Sequence, residues 1–190
     1  MIRDTRIYLV RHAESAPSPG VPEPDWPLSE DGRRQANDLV PVLAELPIST
    51  VYSSPYLRAV DTVQPFADQA SLEVNLVEDL RERRLSAGIA PRSDWRKSLQ
   101  RAWAEFDWAP PGGESSAQCQ RRVAASLLGL AVAHPGDAVL AASHGNAIAL
   151  FLNSIDRSFG FEDWAALMNP DLFLIRYGND GPESFERITL

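Results

Sequence analysis

Cysteine and long apolar runs are both scarce in this 190-residue chain, and each scarcity closes off a class of protein. The single cysteine, Cys119, has no partner for an internal disulfide, and it stands in a polar helical stretch without CxxC or Cys/His ligand spacing, which excludes a structural zinc site. No run approaches the roughly 18 apolar residues of a membrane span, and the opening MIRDTRIYLV lacks a signal-peptide apolar region, so the expected location is the cytoplasm. Lys97 is the one lysine among 18 basic residues, and the formal net charge of -8 opposes any non-specific hold on nucleic acid or a membrane surface. An anionic ligand must therefore be met by a local cationic pocket.

The rest of the composition is that of a packed protein: 44% hydrophobic and 23% charged, expected as one domain over residues 1–190. RIYLV (6–10) is a short β-branched and aromatic run that reads as a buried strand. Residues 16–27, APSPGVPEPDWP, carry five prolines and a glycine and read as an irregular loop. An amphipathic helix capped by Ser29 follows, disturbed at Pro41. STVYSSP is a second strand with its exit turn, leading into a helix that begins at Tyr56 or Leu57, and SLEVNLVEDL is a short third strand running into a loop. Trp95, Leu99, Trp103 and Phe106 form one apolar stripe on a helix over 92–107. A longer helix capped by Ser115 or Ser116 closes at His134-Pro135, where His134 reads as a helix-end residue facing the dipole or solvent. DAVLAASHGNAIALFLNSI repeats the strand, polar junction, helix order, and a hairpin around NDG ends the chain. Strands alternating with helices predict an α/β three-layer sandwich, with a mostly parallel central sheet, helices on both faces and an antiparallel edge.

Ligands of such sheets bind beyond the carboxyl ends of the strands. Three strand exits carry the same chemistry: Arg11-His12, then SSPYLR with Arg58, then SHGN with His144. Guanidiniums are fixed-charge forks for phosphate oxygens, and a neutral imidazole offers a nitrogen nucleophile. In phosphoryl transfer the charge spreads over three equatorial oxygens, so Arg11, Arg58 and one histidine suit the equator while the other histidine attacks in line. The leaving alkoxide needs a proton, for which Glu82 in the EDLRER loop is the leading candidate and Glu78 the alternative. Gly145 and Asn146 open a helix whose first amides suit an anion or cap the turn.

LVRHAES, LSEDGRRQA, VYSSPYLRAVDT, LRER, PGGES and ASHGN stand in an order that resembles the histidine phosphatase superfamily, the phosphoglycerate mutase-like proteins, across nearly the whole chain. The resemblance implies that His12 becomes a phosphohistidine, that Arg11, Arg58 and His144 hold the phosphoryl group, and that Glu82 protonates the leaving group and then activates water. It also implies neither metal nor organic cofactor. Two positions depart from the pattern. Ala13 replaces the usual glycine after the histidine, which requires that its backbone avoid positive φ. Ser18 stands where many members carry a phosphate-contacting asparagine, and its hydroxyl is a candidate donor to the substrate. Glu114, in the PGGES turn, is a candidate for the rim.

The expected reaction is hydrolysis of a small-molecule phosphate ester to inorganic phosphate. A mutase is the competing enzyme, and it would draw its extra cations from Arg81, Arg83, Arg84, Arg92 and Arg96. A phospho-ligand binding module without turnover is the third reading.

Overall fold

Alternating burial along the first strand explains the architecture. The computed structural model describes residues 4–85 and 92–190, without the side chains of 92–95. Within β1 (Thr5–Arg11), Ile7 and Leu9 point into one apolar cluster and Tyr8 and Val10 into another. A strand buried on both faces needs helices on both faces.

The remaining elements supply them: α1 (Glu30–Ala44), β2 (Thr50–Ser53), α2 (Leu57–Ala70), β3 (Val74–Leu76), α3 (Arg92–Ala104), α4 (Ser116–Ala133), β4 (Ala138–Ser143), α5 (Gly145–Ile155), α6 (Phe161–Ala165), β5 (Asp171–Gly178) and β6 (Gly181–Ile188). The sheet order is β3-β2-β4-β1-β5-β6. β1, β2, β3 and β4 run parallel, while β5 and β6 are antiparallel to their neighbours and form the expected edge. Leu39 and Leu43 of α1 and Val63 and Phe66 of α2 cover one face; Val123 and Leu127 of α4 and Ile148 and Phe151 of α5 cover the other. The three-layer α/β sandwich is thus what the residue pattern demanded. Among the described residues no helix is long and apolar enough to cross a membrane.

Two helix starts follow directly from their capping residues. Ser29 Oγ accepts the Gly32 N–H at 2.9 Å, and Ser115 with Gln118 makes a reciprocal capping box on α4. The disturbance expected at Pro41 stays local, because α1 runs through it. Pro41 and Asn37 both lie on the exposed face, so water can take the carbonyl that proline leaves unbonded. The segment 86–91 and the Arg92 and Trp95 side chains lie outside the described residues; the rest of the α3 stripe behaves as core, with Leu99 buried and Trp103 and Phe106 packed beside α4 and α5.

Because β1, β2 and β4 are parallel neighbours, their carboxyl ends open on one edge of the sheet. The chain after each strand carries one part of the arginine-histidine set.

Candidate active site

His12 follows the last residue of β1 and is 7% exposed, its N–H bonded to Ser143 O of β4 at 3.1 Å. Its ring is oriented by two contacts of opposite kind. Nδ1 lies 2.7 Å from Ala13 O, and since a carbonyl only accepts, Nδ1 carries the proton. Nε2 therefore holds a lone pair, which accepts from Arg58 Nε at 3.1 Å. Burial, reinforced by Arg58 and then Arg11, depresses the His12 pKa to about 3, against the opposing pull of the Ala13 carbonyl. At neutral pH the ring is uncharged, with its lone pair on Nε2.

Arg58, in the first turn of α2, is 3% exposed. Besides His12, it donates from Nη1 to Glu23 O (2.8 Å) and from Nη2 to Glu23 Oε1 (2.9 Å). Arg11 closes β1, and its Nη1 is fixed by the carbonyls of Leu167 (2.8 Å) and Met168 (3.2 Å). Its guanidinium lies flat on Gly145: a Cβ there would stand 3.3 Å from Arg11 Cζ, Nε and Nη2, so the glycine makes room for the fork. His144 is fully buried between the rings of His12 (5.2 Å between centroids) and Tyr56 (4.9 Å). Ser54 Oγ accepts the Tyr56 N–H and lies 2.8 Å from His144 Nε2, and donation to that nitrogen leaves His144 Nδ1 as the N–H. Burial first, then Arg58 and His12, lowers His144 well below the ordinary histidine value.

Arg11 Nε and His144 Nδ1 are buried and have no hydrogen-bond partner among the described residues. A buried donor left unpaired costs about 1–3 kcal/mol, so two of them beside a neutral imidazole make sense where a ligand supplies acceptor oxygens.

Glu82 comes from the loop after β3. It reaches the N-terminus of α5, where Oε1 accepts from Arg83 N (2.8 Å) and Ala147 N (3.1 Å) and Oε2 accepts from Asn146 N at 3.2 Å. Gly145 N–H precedes those amides in the same turn. Beneath the loop, Ser143 Oγ donates to Leu80 O (2.7 Å), and Arg122 donates to Asp79 O (2.7 Å) and Arg81 O (3.1 Å). Glu78 pairs with Arg81 across 3.8 Å at the exposed side of this loop. Glu114 is engaged away from any ligand: Arg122 binds both its oxygens, at 2.8 and 2.6 Å, and its carbonyl holds Arg83 Nε.

The two departures separate. Ala13 has negative φ and is fully buried against Leu28 and Ala36, and its N–H donates to Thr62 Oγ1 at 2.9 Å, so the methyl is accommodated in the core. Ser18 lies exposed in a turn closed by Val21 N–H to Ser18 O, with no side-chain bond to Arg11, His12, Arg58 or His144. His134 ends α4 and bonds through Nε2 to the Tyr52 hydroxyl at 2.8 Å, far from the histidine pair in its contacts.

Four residues of the site carry no motif. Glu23 and Trp26 come from the proline-rich loop. Asn169 Nδ2 donates to His12 O at 2.7 Å, and the buried Asp171 accepts from Met168 N and from both Arg187 Nε and Nη2, steadying the turn that holds Arg11. A carboxylate opening the apolar run DLFLI was the one available signal; Asn169 gave none.

The chain is 29% identical over 173 residues to a probable phosphoglycerate mutase, GpmB, of Shigella dysenteriae, covering 84% of this chain and 77% of that protein. It is 33% identical over 164 residues to an uncharacterized protein of Mycobacterium bovis, of which it spans 43%. Among solved structures it superposes on a mycobacterial hydrolase (TM-score 0.76, 25% identity, 98% of both chains) and on a mycobacterial glucosyl-3-phosphoglycerate phosphatase in complex with inorganic phosphate (TM-score 0.73, 26% identity, 97% and 95% of the two chains). The profile described as "Histidine phosphatase superfamily (branch 1)" matches residues 7–186, and the chain belongs to that superfamily.

Proposed function

We propose that the chain is a phosphomonoesterase that works through a phosphohistidine on His12. One observation carries this reading: a buried neutral imidazole whose Nε2 lone pair faces Arg58, flanked by acceptor-less N–H groups on Arg11 and His144. Arg58 releases Nε2 and turns its N–H groups to the phosphoryl oxygens, joined by Arg11, His144 and Gly145 N–H, with Ser18 a candidate for the remaining equatorial contact. The Nε2 lone pair then forms the P–N bond as the P–O ester bond breaks. Glu82 gives the leaving oxygen its proton, and Oε2, held by a single amide, is the oxygen free to carry it. In the second half Glu82 takes a proton from water, the water oxygen bonds to phosphorus, and the P–N electrons return to Nε2 as inorganic phosphate forms.

Phosphatase is favoured over mutase by what happens to the spare arginines. Arg83 is 1% exposed, with Nε held by Glu114 O and both Nη groups buried without a partner; Arg81 is surrounded by Glu78, Asp79 and Glu114; and Arg96 lies over the Phe161 ring. Among the described residues Arg81 and Arg96 are thus engaged within the protein, which supports the phosphatase reading. Release of phosphate from an aryl phosphate by the wild type, with its loss in His12→Ala, tests the reading. Full activity in that variant overturns it, and interconversion of 2- and 3-phosphoglycerate without phosphate release replaces it with the mutase.

A further inference from the structure

The proline-rich loop places a carboxylate where a phosphatase has no chemical need of one. Glu23 Oε1 is 2.9 Å from Arg58 Nη2, and the same residue's carbonyl is 2.8 Å from Nη1. The Arg58 side chain is 4% exposed and that of Glu23 45%, so the pair runs from the floor of the site to its mouth. The loop is anchored. Ala16 N bonds Pro27 O (2.8 Å), Ser15 bridges Leu28, Trp26 Nε1 donates to Val21 O (3.0 Å), and the Trp26 ring lies 5.8 Å from Arg58 Cζ. Prolines at 19, 22, 24 and 27 restrict the same stretch. Glu23 is therefore held in position over the phosphate-binding arginine.

Its surroundings are acidic and aromatic. Glu82 acts on Glu23 as a second negative charge, adding to the burial that raises the Glu23 pKa, while Arg58 pulls the other way. Both carboxylates act on Tyr56, whose ring lies 5.0 Å from Arg58 Cζ. Arg81, the other cation that acts on Tyr56, is surrounded by Glu78, Asp79 and Glu114. Once phosphate takes Arg58, the alcohol half of the substrate lies beside Glu23, Tyr56 and Glu82.

We infer that Glu23 is a specificity-determining residue that restricts turnover to phosphate esters of neutral or amine-bearing alcohols and disfavours esters carrying a carboxylate or a second phosphate. This deepens, and rests on, the phosphatase reading. A hydroxyl or ammonium donates to the Glu23 carboxylate, whereas a second anion meets like charge in a partly desolvated mouth.

The test is a ratio. Calorimetric Kd values for glycerol 3-phosphate and 3-phosphoglycerate are measured on catalytically silent His12→Ala protein, with His12→Asn in reserve if alanine perturbs folding, each with and without Glu23→Gln. Phosphate release from the same esters, and from phosphoethanolamine, is measured with His12 intact. Glu23→Gln is expected to shift the Kd and kcat/KM ratios about fivefold to tenfold toward 3-phosphoglycerate, and to weaken phosphoethanolamine. Asp25→Asn, an exposed acid in the same turn, leaves the ratios unchanged. Equal changes for both esters, as loss of a mere loop anchor would give, overturn the inference; so does a wild-type preference for 3-phosphoglycerate. Absence of phosphate release from every ester overturns the phosphatase reading alone, because the Kd ratio still judges Glu23.

Discussion

The floor of the site and its rim are built in different ways. On the floor, His12 and His144 are 7% and 0% exposed and are oriented by groups within or next to the sheet, the Ala13 carbonyl, Ser54 Oγ and the Ser143 carbonyl, while Arg58, 3% exposed, links His12 to Glu23 at the rim. At the rim, Glu23, Glu82, Arg81 and Glu114 sit on connecting segments and are held by ion pairs and helix-end amides. A parallel sheet fixes the relative positions of its strand exits, so chemistry that must be exact is placed there. Charge pairs on loops can be exchanged with little effect on the core, which suits selection of the alcohol. On the proposed reading the floor carries the phosphoryl group, while the rim supplies the proton through Glu82 and selects the alcohol through Glu23.

Mutations can separate those two roles. Arg58→Ala removes a phosphate donor and the partner of the nucleophile, and kcat/KM for any phosphate ester should fall by roughly 10²–10³-fold. Glu82→Gln should slow hydrolysis of alkyl phosphates by about 10²-fold, while p-nitrophenyl phosphate, whose leaving group needs no proton, loses far less. Equal losses on both esters would remove Glu82 from the proton-transfer role. Gly32→Ala probes the support of the floor: a Cβ there collides with Glu14 O, the carbonyl that receives Ser29 N–H, and the unfolding free energy from urea titration should drop by about 1–3 kcal/mol.

A further effect is one of pH. His12 and His144 are held neutral in the folded protein, so below about pH 6.5 the unfolded chain binds protons that the native state refuses. The native state is then destabilised as pH falls from 6.5 toward 3, by at most about 1.4 kcal/mol per pH unit for each histidine. His144→Gln should flatten the dependence of the urea midpoint on pH between 6.5 and 4.5. An unchanged slope would mean that His144 is not buried neutral.

The same division decides what could be read from the sequence. RIYLV announced β1, Ser29 and Ser115 announced helix starts, and the polar residues after each apolar run announced the floor, because each signal lies within a few residues of what it specifies. Pro41 misled: propensity marks it as a breaker, but its effect depends on which helix face meets water. Glu23, Asn169 and Asp171 act on residues 35, 157 and 160 positions away, respectively Arg58, His12 and Arg11, and no local periodicity encodes such a return. Glu114 was read as a rim residue from its glycine-rich turn, but the turn did not reveal that Arg122, nearly two helical turns inside α4, claims its carboxylate. Ser18 shows the limit of counting from a motif, since the shape of a loop with five prolines decides where its sixth residue beyond His12 points.

Trapping the intermediate tests the central claim most directly. Wild-type protein mixed with an excess of a turned-over phosphate ester, denatured within the turnover time and digested without acid exposure, should yield a phosphorylated peptide containing His12, labile in acid and stable in base, and absent from His12→Ala. Steady turnover with no phosphoenzyme at any quench time, or a phosphoenzyme that persists in His12→Ala, would contradict it.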